Sequence, residues 1–396
     1  MRFLTAFLLA ASAVAQGVPA VASFDVRWDN ATGSGSNVLQ TRVHAPMSAE
    51  PVGTASAANT MVVPPAGGWP TIVFLHGFGL PGRSYDHICS DLARQGFLVL
   101  APDTALCDPT LLAADALANV AAALVASGQP GDPLFGAIDA TRVAIAGHSM
   151  GAACMPLAMT NNTVFRCAYA FAPASPFGLV PAVLDVPVGI AVGAGDAVTT
   201  FQQQALPYFD HAQPTWGMKM IHCLDASSTH MSLVGLAGQT ADYERALDIC
   251  AGFLLHFLDV DASAIERCIG PDVLADPLVV VQEQAVVQPR IWPATPPRIG
   301  QISRVSVAAA PGDSAILVAD TLISGVSTAF GTLLLDPATT FTWVVGFTQR
   351  ERRLDVMLAV PNSANLIGLP VAMQPLAPTA NAAAGFGAAI EFTVAP

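Results

Sequence analysis

The sequence predicts an α/β fold, a mostly parallel sheet with helices on both faces, followed by a small all-β domain. Three observations lead there. Between Thr71 and Leu258, short continuous apolar runs alternate with helix-patterned segments, as strands buried on both faces alternate with the helices that cover them. After about residue 270 the helical period disappears, and short apolar runs are separated by Gly, Pro, Asn and Asp, the pattern of an antiparallel sandwich or barrel. The chain also has the means to fill a large core: 53% of its 396 residues are hydrophobic and 11% charged, far from a disordered composition and long enough for two domains.

The elements follow in order. Residues 1–22 read as a secretory signal peptide: Arg2, an apolar run from Phe3 to about Ala15, then small residues at Ala13 and Ala15, with a second cleavage option at Ala20 and Ala22. The run is short for spanning a bilayer, so a secreted, extracellular or periplasmic chain is expected. Residues 23–270 form the α/β domain. Its lead-in, to about residue 62, is rich in Gly, Ser and Asn, with one strand-like piece, "NVLQTRVHAP". "TIVFLHG", "FLVLAPD", "RVAIAG", "CAYAFAPA", "VPVGIAVGAGD" and "GMKMIHCLD" read as buried strands. "RSYDHICSDLARQ" has helical spacing of Tyr85, Ile88 and Leu92; Thr110–Ser127, "SMGAACMPLAM" and "ADYERALDICAGFLLHFL" are further helices. Residues 271–300, with "QPRIWPATPPRIG", read as a Pro-rich linker or a wrapped connection. Residues 301–396 form a β-sandwich-like domain.

Composition excludes several function classes. The net charge is −13 with a single lysine, Lys219. Such a chain cannot cluster cations along phosphates, so nucleic acid and anionic membrane surfaces are poor partners. The Ala-rich segment after Thr110 contains Asp115 and reads as a core helix rather than an integral membrane segment. The seven cysteines lie between Cys89 and Cys268. Export permits disulfides; Cys250 with Cys268, and Cys89 with Cys107, are candidate bridges. No Cys/His spacing fits a zinc site, so no metal is expected.

The chemistry centres on "GHSMG", Gly147 to Gly151. It fits G-x-S-x-G at a strand-to-helix junction. A serine on so sharp a turn crowds its neighbours, and glycines two before and two after relieve the crowding. The helix behind the serine directs N–H groups to where an oxyanion would form. A serine hydroxyl needs a base to take its proton, and that base an acid to orient it. Asp196 follows an apolar strand and a glycine turn. His230 sits in a Ser/Thr-rich loop between a strand and the closing helix. The order Ser149, Asp196, His230 leaves the competitors with structural positions. His222 lies inside a strand, His211 at a helix end, and His256 on the last helix. Asp225 is too close to the histidine loop, and Asp185 precedes its strand. Two oxyanion donors are required. Met150 N–H is one; the other comes from "FLHGFGL", with Phe78 ahead of Gly79, and His76 bracing the loop.

These residues carry a resemblance. Residues 68–270 resemble the polyester hydrolase, cutinase-like and dienelactone-hydrolase-like group of the α/β-hydrolases, near the poly(ethylene terephthalate) hydrolases and the platelet-activating-factor acetylhydrolase-like esterases. "HGFG" with its helix, "GHSMG", "AFAPASPF", "GAGD" and "SSTH" carry the likeness. The resemblance implies an α/β-hydrolase fold, Ser149 as nucleophile, His230 as base and Asp196 as acid. It implies Phe78 and Met150 as oxyanion donors, and Phe78, His148 and Phe177 as walls of a substrate cleft. The chain departs from the group at Ala152, Ala153 and Cys154, where further glycine is usual, and at Phe177, where tryptophan often stands. Gly193 and Ser232 occupy the places of a disulfide that some members carry.

The expectation is therefore a secreted serine ester hydrolase working through an acyl-enzyme, with no cofactor. Its substrate is an ester, either a polyester or a lipid or small soluble ester. An inert hydrolase fold used for surface binding is the reading outside the enzymes. The β domain would bind an insoluble polymer, anchor the chain at a cell surface or stabilise the enzyme. Trp292 and Trp343 are stacking candidates, with core or linker packing the first expectation, and truncation near residue 290 would leave soluble-ester activity and reduce action on insoluble material.

Overall fold

The computed structural model describes residues 20–30, 35–47, 63–160, 164–174, 184–295, 297–319, 321–329, 331–348, 353–379 and 384–396. Most of the expected signal peptide and Phe177 lie outside these residues. The chain divides into two compact units, one of residues 1–213, 221–260 and 267–282, the other of residues 214–220, 261–266 and 283–396.

The first unit holds most of a nine-stranded sheet, of which residues 218–220 and 283–286 fall in the second unit. In chain order its elements are β1 (Val21–Asp29), β2 (Val38–Pro46), β3 (Trp69–Leu75), α1 (Asp86–Arg94), β4 (Leu98–Pro102), α2 (Pro109–Ser127), β5 (Ile138–His148), α3 (Met150–Met159), β6 (Phe165–Phe171), β7 (Val188–Gly193), α4 (Leu206–His211), β8 (Met218–Leu224), α5 (Ala241–Phe257), α6 (Glu266–Ile269), α7 (Pro271–Leu274) and β9 (Val279–Val286). The strand order is β1-β2-β4-β3-β5-β6-β7-β8-β9. β4, β3, β5, β6 and β7 run parallel, while β1–β2 and β2–β4 are antiparallel. Every residue of β3 and β4 is buried, so these strands carry no polar alternation and must be covered on both faces. Val73, Leu75, Leu100, Ile145 and Val192 of the sheet pack with Leu112 and Ala116 of α2 and Met150 and Met155 of α3.

The N-terminus of α2 is capped by Asp108, whose carboxylate accepts from the Thr110 and Leu111 N–H groups, with Pro109 at the first helical position. Among the described residues α2 is the one helix long and apolar enough to cross a bilayer, and half of it is buried in the unit. Its Asp115 is fully buried and accepts from the Ser36 hydroxyl at 2.7 Å and the Thr104 hydroxyl at 2.6 Å.

Three expectations are corrected. The lead-in holds a second strand, β1, paired along its whole length with β2. Residues 271–300 are not a free linker: they contain α7, β9 of the main sheet, and an edge strand, β10 (Arg290–Pro293). Pro293 is tolerated as the last residue of the edge strand β10. The cysteines are all free, so neither candidate bridge is formed. Cys268 donates its thiol proton to the Ile249 carbonyl at 3.2 Å instead, and Cys89 is buried while Cys107 is exposed.

The second unit continues with β11 (Ile302–Ala308), β12 (Gly312–Ala319), β13 (Leu322–Thr328), β14 (Gly331–Leu335), β15 (Phe341–Thr348), β16 (Arg353–Ala359), β17 (Pro370–Ala377), β18 (Gly385–Phe386) and β19 (Ile390–Thr393). They form sheets β10-β11-β16 and β15-β12-β17-β18, with β19 also on β17, and a hairpin β13-β14. These pairings are antiparallel. Ile291, Val305, Val307, Ile316 and Met373 form its core. Glu266, itself part of this unit, accepts from the Trp292 indole N–H at 2.6 Å, Arg304 at 2.6 Å and Arg353 at 2.8 Å. Trp292 is fully buried, so it offers no face to a polymer; the side chain of Trp343 lies outside what is described.

Candidate active site

Ser149 stands between β5 and α3 with φ 55° and ψ −116°, a backbone conformation that costs a side-chain-bearing residue on the order of 1–3 kcal/mol. Neighbouring strands hold it there: its N–H donates to the Phe171 carbonyl at 3.0 Å, and its carbonyl accepts from Ala153 and Ala174. The flanking glycines are required by contact. A methyl group at Gly151 would stand 2.2 Å from the Leu75 carbonyl oxygen, and one at Gly147 would stand 2.7 Å from the Gly151 carbonyl carbon. The serine therefore sits on a turn pressed against β3, at the N-terminus of α3, where the helix dipole favours negative charge.

Asp196 follows β7 and His230 follows β8, and their loops meet. A methyl group at Gly193 would lie 2.0 Å from the Ser228 carbonyl oxygen, and Gly195 N–H donates to that same oxygen at 3.0 Å. His230 Nδ1 lies 2.8 Å from Asp196 Oδ2. Thr199 adds a hydroxyl donor to Oδ2 at 2.6 Å, and the Val198 and Thr199 N–H groups donate to Oδ1 at 2.8 and 2.7 Å. Burial by itself pushes the Asp196 carboxyl up; the hydrogen bonds from His230 and Thr199 outweigh it and hold the carboxyl below its ordinary range. Asp196 is thus a carboxylate aimed at one imidazole nitrogen, which leaves Nε2 of His230 to exchange protons elsewhere. The histidine loop is anchored in turn: Ser232 accepts from the Thr229 N–H at 2.8 Å and donates to the buried Asp242 of α5.

His148 joins this pair to the elbow. Its Nε2 donates to the His230 carbonyl at 2.9 Å, and its ring lies 4.6 Å from the His230 ring. Its Nδ1 is 2.8 Å from the Tyr85 hydroxyl, which also accepts the Gly77 N–H at 2.9 Å. His148 is 1% exposed, so it is not a wall of an open cleft as expected from the sequence; it is sealed between Tyr85 and His230. Burial, with the neighbouring His230, pushes its pKa down to about 3.

Around Phe78, the Gly77 N–H is engaged by Tyr85 and the Gly79 N–H donates to the Leu106 carbonyl at 2.7 Å, which removes Gly79 as an oxyanion donor. His76 is buried with Nε2 2.8 Å from the Thr104 carbonyl, bracing this loop against the one after β4. The side chain of Phe78 is exposed, at 54%. Leu106, Val198 and Met231, from the loops after β4, β7 and β8, are exposed apolar residues as well. The competing histidines have other partners. His222 donates to the Cys268 carbonyl at 2.8 Å, His211 bonds the Pro207 carbonyl, and His256 is buried against Phe257. Among the described residues no group of three His, Cys, Asp or Glu is arranged to hold a metal ion.

Sequence reasoning missed Thr199, Tyr85 and Asp242. Thr199 had a signal, a threonine three residues after an aspartate, the spacing at which a carboxylate accepts from backbone and hydroxyl together. Residues 55–238 match a family model described as PETase, PET hydrolase-like. In this segment the chain is similar to the polyester hydrolase-like esterase group. The matched span carries the elbow, Asp196, His230 and the loop of Phe78, and it supports a hydrolase acting on esters. No curated protein matches the chain.

Proposed function

We propose that the chain is a serine esterase of the α/β-hydrolase fold that cleaves esters with apolar groups, a polyester chain among them. One observation carries the reading: the strained Ser149 directly follows His148, whose ring is hydrogen-bonded to the loop that carries the His230–Asp196 pair. His230 takes the Ser149 proton as Oγ attacks the ester carbonyl, with Asp196 stabilising the imidazolium that forms. The N–H groups of Met150 and Phe78 receive the oxyanion. His230 then protonates the leaving alcohol, and water activated by the same imidazole releases the acid. No cofactor enters these steps.

The exposed Phe78, Leu106, Val198 and Met231 supply an apolar rim on the loops that carry the site. Such a rim favours an apolar chain over a charged or strongly hydrated one. The reading also includes export. Cleavage after Ala15 leaves β1 whole, whereas cleavage after Ala22 removes Val21 and Ala22, which pair with Pro46 and Ala45.

The test is hydrolysis of p-nitrophenyl esters of increasing acyl length, and of polyester film, by the wild type and Ser149→Ala. The reading requires turnover by the wild type and its loss in the variant with an unchanged melting temperature. Undiminished turnover by Ser149→Ala would sink it.

A further inference from the structure

We propose that Tyr85 and His148 are positioning residues: one directed chain of hydrogen bonds through them locks the oxyanion loop and the histidine loop to the nucleophile elbow. The proposal rests on the serine esterase reading for its kinetic consequence, though not for the hydrogen-bond chain itself.

The direction of the chain follows from what each end can do. The Gly77 N–H can only donate, so the Tyr85 oxygen accepts from it at 2.9 Å. The single hydroxyl proton of Tyr85 is then available for His148 Nδ1, 2.8 Å away. The His230 carbonyl, 2.9 Å from His148 Nε2, can only accept. The ring proton of His148 therefore sits on Nε2 and its Nδ1 is bare. All three bonds are satisfied by this tautomer and by no other neutral one. Tyr85 and His148 are both buried, so a broken link leaves polar atoms without water to replace it.

Three separate loops meet in this chain. Gly77 precedes Phe78 on the loop after β3, His148 is covalently joined to Ser149, and His230 is the base. A methyl group at Gly77 would stand 2.9 Å from the Tyr85 hydroxyl and 3.2 Å from His148 Nδ1, so only glycine lets the loop approach. The tautomer has a second consequence. His230 gains positive charge in the transition state, and the His148 ring is 4.6 Å from it. A neutral ring with a bare Nδ1 facing Tyr85 adds no like charge beside the forming imidazolium. Tyr85 and His148 touch neither nucleophile oxygen nor acid; they act by holding the groups that do.

The experiment joins kinetics to histidine side-chain nitrogen spectra. Tyr85→Phe is expected to lower kcat roughly 10-fold, the scale of a misplaced catalytic group, with KM within about twofold. His148→Gln, which keeps an amide donor where Nε2 stood, should retain several-fold more kcat than His148→Phe. In wild-type protein His148 should show a neutral Nε2–H ring at neutral pH, and Tyr85→Phe should mix the two tautomers. The wild-type spectrum needs neither turnover nor a folded variant. An inactive wild type with that spectrum would defeat the esterase reading and leave the chain of bonds standing. Protonation of His148 at Nδ1 in the wild type, wild-type kcat in folded Tyr85→Phe, or equal kcat for the two His148 variants would overturn the proposal.

Discussion

The Thr199 hydroxyl lies 2.6 Å from Asp196 Oδ2, on the same oxygen that faces His230 Nδ1. One carboxylate oxygen thus holds the imidazole and is itself held, while Oδ1 takes two backbone N–H groups. If Asp196 orients His230, removing its charge must cost far more than removing the hydroxyl that steadies it. Asp196→Asn is expected to lower kcat about 10³–10⁴-fold by favouring the wrong imidazole tautomer. Thr199→Val should lower it roughly 10-fold, the worth of one hydrogen bond to a charged group. Steady-state kinetics on a soluble ester, with melting temperature as the control, checks both.

The molecule contains a second Ser–His–Asp set that serves as an internal contrast. His44 Nδ1 lies 2.9 Å from the Ser23 hydroxyl and 3.1 Å from that of Ser90, and its Nε2 is 3.3 Å from Asp86. His44 is fully buried, Ser23 is in strand β1, and Ser90 is inside helix α1, where backbone N–H groups are used by the helix. Neither serine has the positive φ of Ser149. Without an elbow there are no aligned oxyanion donors, so Ser90→Ala should leave ester turnover within about twofold of wild type. A large loss of turnover in a folded Ser90→Ala would show that the elbow is not what distinguishes the two sets.

Acid stability follows from the two buried histidines. Burial holds His148 at about 3 and His222 at about 4, below the ordinary 6.5. Between those limits the unfolded chain binds protons that the folded chain does not, so stability rises with pH. Their contribution is complete well above about pH 6.5 and falls as the pH drops through that value toward the folded values. Asp196, held low in the folded state, adds a loss of the same sign below its unfolded value near 4. The urea midpoint should therefore fall between pH 7 and pH 5. His222→Gln, which can still donate to the Cys268 carbonyl, should show about half that fall.

The β unit gives a separate prediction. Glu266 accepts from Trp292, Arg304 and Arg353, although it precedes β10 by more than twenty residues in the chain. Truncation near residue 290, the cut expected from composition, would strand that carboxylate and divide the unit. A cleaner probe is Glu266→Gln, which should destabilise the β unit by about 3 kcal/mol by leaving two guanidinium groups short of charge. Thermal unfolding reads this loss, and native-state turnover of a soluble ester should be unchanged at 25 °C. Equal loss of turnover would make the β unit part of the catalytic apparatus.

The parts legible in the sequence were those encoded locally. The elbow is a five-residue motif between a buried strand and a helix, and Asp196 and His230 each follow a strand and a turn. What escaped depends on distant partners. Tyr85 shares helical spacing with Ile88 and Leu92 and so reads as core; its hydroxyl meets His148, 63 positions away. That same bond withdraws His148 from the cleft wall where the family resemblance had put it. Strand β1 was hidden because Ser23, Asp25 and Arg27 interrupt its apolar residues. β9 was hidden because Gln282, Glu283 and Gln284 break its run beside a proline-rich segment.

Every kinetic expectation above depends on Ser149 acting as the nucleophile, activated by its position on the elbow and by His230. Covalent labelling with a fluorophosphonate, followed by mass spectrometry of the digested protein, tests it most directly. One adduct is expected, on the peptide containing Ser149, absent from Ser149→Ala and formed far more slowly in Asp196→Asn. An adduct on another serine, or ester turnover with no adduct on Ser149, would contradict it.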